Sequence, residues 1–552
     1  MIKIGLCQIN PWVGHLQYNL EKIKQYFHIC QEQDLDLAVF PECSVTGYPV
    51  EDLVLAPYFL CHVENVIQDL AAWTSSSKTS ILFGSPWIHD GKIVNTAMLI
   101  NDGKIKDIII KHKLPNHGVF DEKRIFQPGP LPMPVYFQGL DLGIMVCEDM
   151  WYPQPAQHLK ENGAQILVVL NGSPFDLTKH QRRQEQAQKR VIETGLPLIY
   201  LNMVGGQDHL VFDGQSFVME ADQECVLKMP AFQESLCSVK LEKYDDKLSI
   251  RSLNNISKDS MDPLGSIYQG LVMGLKDYVE KNGFKGVLIG LSGGIDSALV
   301  TAIAVDALGP GRVHCIMMPS PYTSQESLLH AQTIANLLNI PYQILSIEPA
   351  MTAYERILEG IFQGAAADTT EENIQSRARG MILMAISNKN GFMVLSTGNK
   401  SEMAVGYATL YGDMCGGYNP LKDVYKMQVF DLARWRNQTR CDYFLGPDGP
   451  VMPEEVITKP PTAELRPNQT DQDSLPSYEI LDAILLELVE KKADIQDVVD
   501  LGFQESDVNK VYHLLHKAEY KRRQSPPGPK ISVKAFNAER RYPITNGFLL
   551  NL

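Results

Sequence analysis

The sequence predicts an α/β protein built from two domains of different design. Its 552 residues exceed what one hydrophobic core normally organises. Short apolar runs alternate with helical segments along the chain, which is typical of layered α/β packing. A polar stretch at 242–260, poor in apolar periodicity, separates two halves with different patterns. We therefore expect domains at residues 1–245 and 263–552, joined by a linker at 246–262.

The N-terminal half contains many short β-rich runs with helical segments between several of them. This alternation indicates sheets at the centre of the domain and helices outside. Strands are predicted at 2–9, 35–40, 79–84, 96–100, 141–146, 166–170, 198–202 and 216–219, and helices at 16–31 and 178–193.

The C-terminal half has long helices alternating with apolar strands, the pattern of a doubly wound parallel sheet. The strands are expected at 287–290, 313–318, 342–346 and 393–397, and an amphipathic helix at 478–491. In such sheets ligands bind beyond the carboxyl ends of the strands. We therefore expect a nucleotide site in this half.

Composition favours small-molecule substrates. A formal net charge of -15 opposes nonspecific binding to nucleic acid or to anionic membranes, and no apolar run is long enough to cross a bilayer. The first residues alternate like a strand and lack a signal-peptide core, which predicts a cytoplasmic protein. The ten cysteines form no Cys-x-x-Cys pair, so neither a zinc site nor a disulfide framework is indicated.

The segment Leu-Ser-Gly-Gly-Ile-Asp-Ser, at 291–297, lies between a predicted strand and a predicted helix. Its two glycines let the backbone approach an anion, and the helix N-terminus supplies positive partial charge. Asp296 would repel phosphates unless a divalent cation lay between them, which indicates a magnesium-nucleotide site. The lysine of a P-loop is absent. A Gly-Gly turn without a ligand is the alternative.

A second carboxylate could complete the magnesium site. Glu402 follows the strand predicted at 393–397, where a neighbouring strand end could bring it near Asp296, and Thr397 could contact the nucleotide. An acidic residue favoured by a helix N-terminus is the alternative interpretation of Glu402.

Three candidates for a base, a cation and a nucleophile lie at predicted strand ends in the N-terminal half. Cys147 would attack as a thiolate, Glu42 would accept its proton, and Lys111 would stabilise the tetrahedral intermediate. Residue type alone also permits a core thiol, a turn carboxylate and a surface charge.

The motifs Phe-Pro-Glu-Cys, Lys-His-Lys-Leu-Pro-Asn and Val-Cys-Glu-Asp-Met-Trp resemble the three signatures of the nitrilase, or carbon-nitrogen hydrolase, superfamily. That resemblance implies Glu, Lys and Cys catalysis in this order and selects Lys111, three residues before Leu114, with Lys113 as the alternative. Glu122 could orient the base or form a surface salt bridge.

The 291–297 turn resembles the pyrophosphate loop of the N-type ATP pyrophosphatases, and residues 2–545 resemble the two-domain glutamine-dependent NAD synthetase family. The resemblance implies a nitrilase-like α-β-β-α domain followed by an adenine nucleotide alpha hydrolase-like sheet. It also implies the reaction: magnesium ATP adenylates deamido-NAD, and ammonia from L-glutamine displaces AMP to form NAD.

The same resemblance implies the binding residues. ATP would contact Gly290, Leu291, Ser292, Gly293, Gly294, Ile295, Asp296, Ser297 and Thr397, with Mg²⁺ on Asp296 and Glu402. Deamido-NAD would contact Asn373, Glu402, Tyr407 and Lys521, and the adenylate would lie near Asp413 and Lys426. Glutamine would contact His117, Ser173 and Lys179, although the family usually has tyrosine where this chain has His117.

Ammonium is not nucleophilic, so we hypothesise that ammonia stays neutral in an internal passage between the two reactions. The family's synthetase halves pair through helices, which implies a homodimer or a larger homo-oligomer. Other adenylating amidotransferases share the phosphate turn but have a different glutaminase half. A catalytically silent nucleotide-binding protein is the second rival, disfavoured by the retained catalytic residues.

Overall fold

The structure is a computed structural model that describes residues 1–244, 247–254, 262–467 and 469–547. The chain divides into two compact units, Met1–Ser260 and Met261–Leu552. Throughout the described ranges, every helix is too short or too polar to cross a membrane.

Two sheets form the first unit. The seven-stranded sheet has the order β15-β14-β1-β2-β3-β4-β5, and the six-stranded sheet has the order β13-β12-β9-β8-β7-β6. A hairpin of β10 and β11 is separate. The strands are β1 (Ile2–Gln8), β2 (Leu37–Val39), β3 (Ser80–His89), β4 (Lys92–Asn101), β5 (Lys104–Ile110), β6 (Val135–Phe137), β7 (Leu140–Val146), β8 (Ile166–Asn171), β9 (Leu198–Asn202), β10 (Val204–Gln207), β11 (Leu210–Asp213), β12 (Phe217–Met219), β13 (Cys225–Lys228), β14 (Ser235–Tyr244) and β15 (Lys247–Ser252).

Strand alternation builds the core of this unit. Along β7, Ile144 and Val146 face the other sheet and pack in one cluster with Leu6 of β1, whereas Met145 faces outward. Helices α1 and α2 cover the seven-stranded sheet, and α3 and α4 cover the six-stranded sheet. The helices are α1 (Leu16–Glu32), α2 (Pro57–Trp73), α3 (Pro153–Glu161) and α4 (Lys179–Thr194). The predicted α-β-β-α layering is therefore confirmed.

The segment expected to be a linker at 246–262 begins with a strand. Lys247–Ser252 pair antiparallel with β14 at the edge of the seven-stranded sheet. Its polar composition suits an edge strand, which buries little of its surface, so apolar periodicity did not reveal it. Residue 246 and residues 255–261 of the expected linker lie outside the described residues, and the domain boundary stays a prediction.

A four-stranded parallel sheet with the order β18-β17-β16-β19 forms the centre of the second unit. The strands are β16 (Val287–Gly290), β17 (Val313–Met317), β18 (Tyr342–Ile344) and β19 (Met393–Leu395). The chain runs outward from β16 to β18 and returns on the other side of β16. The carboxyl ends of β16 and β19 therefore border the topological switch point, where α/β sheets bind ligands.

The described part of the second unit contains twelve α-helices. Helices α5 and α6 contact each other and α11, while α9 packs on β16 and β19, so the doubly wound prediction is confirmed. The segment predicted as a helix at 478–491 is α-helical over Tyr478–Leu485 and π-helical over Leu486–Lys491. The helices are α5 (Pro263–Lys281), α6 (Ile295–Leu308), α7 (Gln325–Leu337), α8 (Glu348–Phe362), α9 (Thr369–Asn390), α10 (Lys400–Val405), α11 (Lys426–Gln438), α12 (Glu454–Thr458), α13 (Tyr478–Leu485), α14 (Ile495–Asp500), α15 (Glu505–Lys517) and α16 (Glu519–Arg522).

Candidate active sites

Three ionisable side chains meet in the interior of the first unit. The Lys111 ammonium donates hydrogen bonds to Glu42 Oε1 at 2.7 Å and to Glu122 Oε1 at 2.8 Å. All three side chains are buried. Burial alone would lower the pKa of Lys111, but Glu122 and Glu42 outweigh it and raise this pKa well above its ordinary value. Lys111 is therefore a fixed positive charge.

Backbone and amide donors hold the Glu42 carboxylate in place. Asn95 Nδ2 donates to Glu42 Oε1 at 2.8 Å, and the Gly172 amide donates to Oε2 at 2.8 Å. Asn95 lies on β4 and Gly172 directly follows β8, so both sheets of the unit orient this side chain. A carboxylate oriented in this way is ready to accept a proton from a neighbour.

Cys147 directly follows β7 and opens a short 3₁₀ helix, Cys147–Trp151. Its φ of +46° lies in the left-handed region, which residues with a Cβ seldom adopt. Burial and the nearby Glu42 carboxylate raise the pKa of the Cys147 thiol well above its ordinary value, although Lys111 opposes them. The thiol is therefore protonated at neutral pH, and a base must remove its proton before attack.

Asp149 joins the lysine segment to the cysteine segment. Its Oδ1 accepts hydrogen bonds from the His112 and Lys113 amides at 3.1 and 2.7 Å, and its Oδ2 accepts from the Val146 amide at 3.1 Å. These donors are the chain neighbours of the lysine and the cysteine. Asp149 belongs to the cysteine motif, but spacing alone did not reveal this positioning role.

The structure places Lys111, and not Lys113, beside Glu42. Lys113 Nζ instead lies 3.4 Å from Gln154 Oε1 and 5.2 Å from the centroid of the Tyr152 ring. The surface salt bridge considered for Glu122 is wrong, because this residue is 2% exposed and also accepts a hydrogen bond from the Tyr48 hydroxyl at 2.8 Å. Burial raises the pKa of Glu122 to about 7, with Lys111 opposing the shift.

The predicted glutamine residues surround the cysteine segment in different environments. Ser173 is buried, and its hydroxyl accepts a hydrogen bond from Arg183 Nε at 3.1 Å. Lys179 begins α4 with its ammonium 4.5 Å from the centroid of the Trp151 ring, and burial lowers its pKa to about 8. The His117 side chain is 64% exposed, with Nε2 3.3 Å from Glu148 Oε1.

The phosphate turn of the second unit has the predicted order of strand, turn and helix. Gly294 is the N-cap of α6, and the Ser292 amide donates to Ser297 Oγ at 3.2 Å. Gly293 has a φ of +83°, and a Cβ at this position would lie 2.2 Å from the Ser327 carbonyl oxygen. Glycine is therefore required for the turn to close against α7.

Asp296 and Glu402 lie in the first turns of α6 and α10. Asn399 connects them, because its Nδ2 donates to Asp296 Oδ1 at 2.9 Å and its amide donates to Glu402 Oε2 at 3.3 Å. The Lys426 ammonium contacts Asp296 Oδ2 and lies 3.5 Å from Glu402 Oε1. Burial raises the pKa of Glu402 to about 8, with Lys426 opposing and Asp296 adding to the shift. The site thus concentrates negative charge around one cation.

Two cavities of about 250 and 260 Å³ border the phosphate turn and share Ser292, Thr397 and Asp413 in their linings. The first, the polar cavity, is lined by charged side chains that include Asp296, Glu402 and Lys426, and the second includes Met317, Met318 and Leu383. The linings contain most of the predicted ATP residues: Gly290, Leu291, Ser292, Gly294, Ile295, Asp296, Ser297 and Thr397. They also contain four residues predicted for deamido-NAD or the adenylate: Glu402, Tyr407, Asp413 and Lys426.

The predicted deamido-NAD residues meet around the segment 406–413. Asn373 Oδ1 accepts a hydrogen bond from Thr409 Oγ1 at 2.9 Å, and the Lys521 ammonium donates to the Gly406 and Ala408 carbonyls at 2.9 and 2.7 Å. Neither Asn373 nor Lys521 lines the two cavities formed by the described residues. Both therefore support this segment from outside the cavities.

Comparison with known proteins identifies both units. The carbon-nitrogen hydrolase family matches residues 3–244, and the NAD synthase family matches residues 267–525. A glutamine-dependent NAD(+) synthetase of Rhodobacter capsulatus is 47% identical over 547 residues, covering 99% of this chain and 98% of the relative. One from Acinetobacter baylyi is 43% identical, with the same coverage.

The chain belongs to the glutamine-dependent NAD(+) synthetase family. The solved structure of a glutamine-dependent NAD+ synthetase from Acinetobacter baumannii in complex with ADP is 42% identical, covers 99% of both chains and has a TM-score of 0.78. A family member from Cytophaga hutchinsonii, at 19% identity, shares the fold with a TM-score of 0.80. The resemblance found in the sequence motifs is therefore confirmed, and so is the two-domain fold class.

Several residues that build these synthetase-family sites carry no motif signal of their own. Asn95 and Gly172 hold Glu42, and Asn399 connects the two acidic residues of the phosphate site. An amide side chain is common on any protein surface, so its sequence gives no hint of a buried partner far along the chain. Asn399 is the exception, because Asn399 followed by Glu402 three residues later is a capping-box pattern that could have predicted their pairing.

Proposed function

We propose that this chain catalyses the ATP-dependent amidation of deamido-NAD to NAD, with nitrogen from L-glutamine and release of AMP, pyrophosphate and glutamate. One observation carries the proposal: the similarity to a glutamine-dependent NAD(+) synthetase covers 99% of the chain, and the chain contains the residues for both reactions. These are a buried Glu-Lys-Cys group in the first unit and a phosphate turn with two acidic residues in the second. This reaction would be the last step of NAD biosynthesis.

In the glutaminase half, the Cys147 sulfur attacks the side-chain amide carbon of glutamine while its proton passes to Glu42. The Lys111 ammonium stabilises the negative charge that develops on the amide oxygen. Glu42 then returns the proton to the leaving nitrogen, the carbon-nitrogen bond breaks, and ammonia departs from a glutamyl thioester. Water hydrolyses the thioester with Glu42 as the base. The raised pKa of Cys147 supports this order, since the thiol needs a base.

Glutamine recognition rests on Ser173, Lys179 and His117. The half-buried Lys179 ammonium suits the α-carboxylate of a free amino acid, and Ser173, held by Arg183, suits a polar group near the scissile amide. His117 contacts Glu148, the neighbour of the nucleophile. Histidine has a shorter reach than the family's usual tyrosine. A His117→Tyr variant should therefore lower the KM for glutamine without changing the KM for ammonium.

In the synthetase half, the turn at 290–297 binds the ATP phosphates through backbone amides and the Ser292 and Ser297 hydroxyls. The apolar second cavity suits the adenine, with Thr397 at the junction of the two cavities. Asn373, Glu402, Tyr407 and Lys521 form or support the deamido-NAD site. Asp413 and Lys426 lie near the adenylate. Lys426 balances the negative charge on the pyrophosphate that leaves when the adenylate forms.

Asp296 and Glu402 fit a magnesium ion. Both are oxygen donors, and Mg²⁺ is commonly held by one or two carboxylates together with substrate phosphates. The metal would neutralise phosphate charge during the formation of the adenylate. Replacing Asp296 with asparagine should raise the Mg²⁺ concentration needed for deamido-NAD-dependent exchange of pyrophosphate into ATP.

Replacing Cys147 with alanine tests the division between the two halves. The variant should lose glutamine-supported NAD formation and keep ammonium-supported formation, measured with ATP, Mg²⁺ and deamido-NAD. Cys30→Ala is the matched control, because Cys30 is also a buried thiol of the first unit but lies on α1. Loss of both activities in Cys147→Ala, with normal folding, would reject the proposed division.

We further propose a homodimer or larger homo-oligomer in the cytoplasm, as the family resemblance implies. Light scattering of the purified full chain measures the number of subunits in the assembly, and cell fractionation measures its location. A monomer at working concentration contradicts the assembly without affecting the reaction.

A further inference from the structure

Five carboxylates line the polar cavity beside the phosphate turn: Asp296, Glu402, Asp413, Glu464 and Asp471. Asp296 and Glu402 each have one oxygen engaged by Asn399 and the other by Lys426. Each oxygen of these two carboxylates therefore already has one donor from the protein, and its second lone pair remains for a metal ion.

Two more of these carboxylates are also engaged through both oxygens. Both oxygens of Asp413 accept from the Thr409 amide, at 2.9 and 3.2 Å. Glu464 Oε1 accepts from the Ser324 and Ser327 hydroxyls at 2.8 Å each, and its Oε2 accepts from the Ser324 amide at 3.2 Å. In both residues, each carboxylate oxygen therefore has at least one donor from the protein.

Asp471 differs from the other four. Its Oδ2 accepts a hydrogen bond from the Tyr478 hydroxyl at 2.8 Å, while its buried Oδ1 has no hydrogen-bond partner among the described residues. The residue is only 5% exposed. A buried carboxylate oxygen without a donor is costly, and because this one lines a cavity, a ligand with an N–H or O–H group can supply the donor.

The surroundings of Asp471 suit a small nitrogen donor. The Tyr478 and Tyr407 hydroxyls both interact with the Asp471 carboxyl, although the Tyr407 hydroxyl does not meet hydrogen-bond geometry at Oδ1. The Lys426 ammonium lies 5.2 Å from the centroid of the Tyr478 ring, so this wall already accepts a nitrogen cation. Burial raises the pKa of Asp471, although Tyr478 and Lys426 oppose the shift. An ammonia molecule needs acceptors for its N–H groups and must keep its lone pair free to attack, and Asp471 Oδ1 provides such an acceptor.

We propose that Asp471 is a catalytic residue of the synthetase reaction, receiving the ammonia nucleophile at Oδ1 and accepting its proton. The inference rests on the proposed NAD synthetase function. The ammonia lone pair forms the carbon-nitrogen bond with the adenylate carbonyl carbon, and the bond from that carbon to the AMP oxygen breaks. The surplus proton on nitrogen passes to Asp471 Oδ1 and then to solvent, so AMP leaves as its anion and neutral NAD amide remains.

The test is Asp471→Asn in the full chain. Asparagine keeps the side-chain volume and can still accept from Tyr478, but its amide cannot take a proton. The rate of NAD formation should fall about 100-fold with either glutamine or ammonium, the size expected for loss of a general base. Deamido-NAD-dependent exchange of pyrophosphate into ATP should stay within about threefold of wild type, because adenylate formation precedes the ammonia step.

Asp473→Asn is the matched control, since this exposed carboxylate lies two residues away and accepts hydrogen bonds only from the Thr470 amide and hydroxyl and from Arg466 among the described residues. It should leave both rates unchanged. Asp471→Glu should recover part of the NAD rate that Asp471→Asn loses. If Asp471→Asn does not fold, Tyr478→Phe removes the donor that orients the carboxylate, and it should raise the KM for ammonium while exchange persists.

Three outcomes would overturn the inference. Equal loss of exchange and NAD formation in folded Asp471→Asn would indicate a structural role. A higher Mg²⁺ requirement for exchange in that variant would indicate a metal ligand. Unchanged NAD formation would leave Asp471 without a role. If wild-type protein shows no exchange at all, the proposed function itself fails, which is a separate result.

Discussion

Replacing Lys111 with methionine removes the positive charge that lies between two buried carboxylates. The Glu42 and Glu122 oxygens, 2.7 and 2.8 Å from the ammonium, would lose their counter-ion in a region from which water is excluded. Breaking a buried ion pair in this way costs about 3–5 kcal/mol, because a charge is left uncompensated. Methionine matches the length of the lysine stem, so the loss of packing is a minor part of the cost.

Tryptophan fluorescence in urea can measure this cost in the first unit. Four of the five tryptophans, Trp12, Trp73, Trp87 and Trp151, belong to that unit. With a urea dependence of about 2–3 kcal/mol per molar for a unit of this size, the unfolding midpoint should fall by about 1–2.5 M. Lys113→Met is the control, and its midpoint should change by less than about 0.3 M, since a partly exposed lysine contributes about 0.5 kcal/mol or less.

Activity provides the second measurement on the same pair of variants. Lys111→Met should reduce glutamate release from glutamine at least 100-fold, the usual loss when one group that stabilises an oxyanion is removed. NAD formation from ammonium should remain within about threefold of wild type. If Lys113→Met lost glutaminase activity while Lys111→Met kept it, or if the Lys111 midpoint did not move, the account of a buried catalytic lysine would be wrong.

Two further predictions use Gly293 and Glu122. Gly293→Ala places a Cβ against the Ser327 carbonyl oxygen and should raise the KM for ATP at least tenfold with both nitrogen sources, while glutamine hydrolysis in the absence of ATP is unchanged. The pKa of Glu122 is raised from 4.5 to about 7, so its stabilising contribution is complete below pH 4.5 and is lost as the pH rises to about 7. Glu122→Gln should therefore weaken the fall in the urea midpoint of the first unit between pH 5 and pH 7, and an unchanged pH dependence would contradict the assignment.

The sequence predicted long regular elements well and edge elements poorly. The helix predicted at 16–31 and the strand predicted at 198–202 match α1 and β9 closely, because burial of one face imposes a clear period. The edge strands β6, β13 and β15 were missed, since edge strands are held by backbone pairing with a neighbour and need little apolar pattern, and β14, which lies between β15 and β1, was missed with them. That neighbour is distant in sequence for β14, which pairs with β1.

The candidate sites show the same division. Glu42, Lys111 and Cys147 were identified because each follows a predicted strand and belongs to a motif, and the phosphate turn was identified from its glycines and its place before a helix. Spacing could not reveal that Glu122 is buried against Lys111, or that Asp149 joins the two segments. Those facts depend on side chains from separate elements meeting in space.

What the sequence by itself determined is the set of local elements, the two families and the chemical types present at the sites, because periodicity and short motifs are local properties of the chain. Only the tertiary structure decided which of two lysines two residues apart lies beside the glutamate, and which of five carboxylates around the cavity keeps an oxygen free of hydrogen bonds among the described residues. The physical reason is that burial and hydrogen bonding arise from contacts between residues such as Asp471 and Tyr407, which only folding brings together.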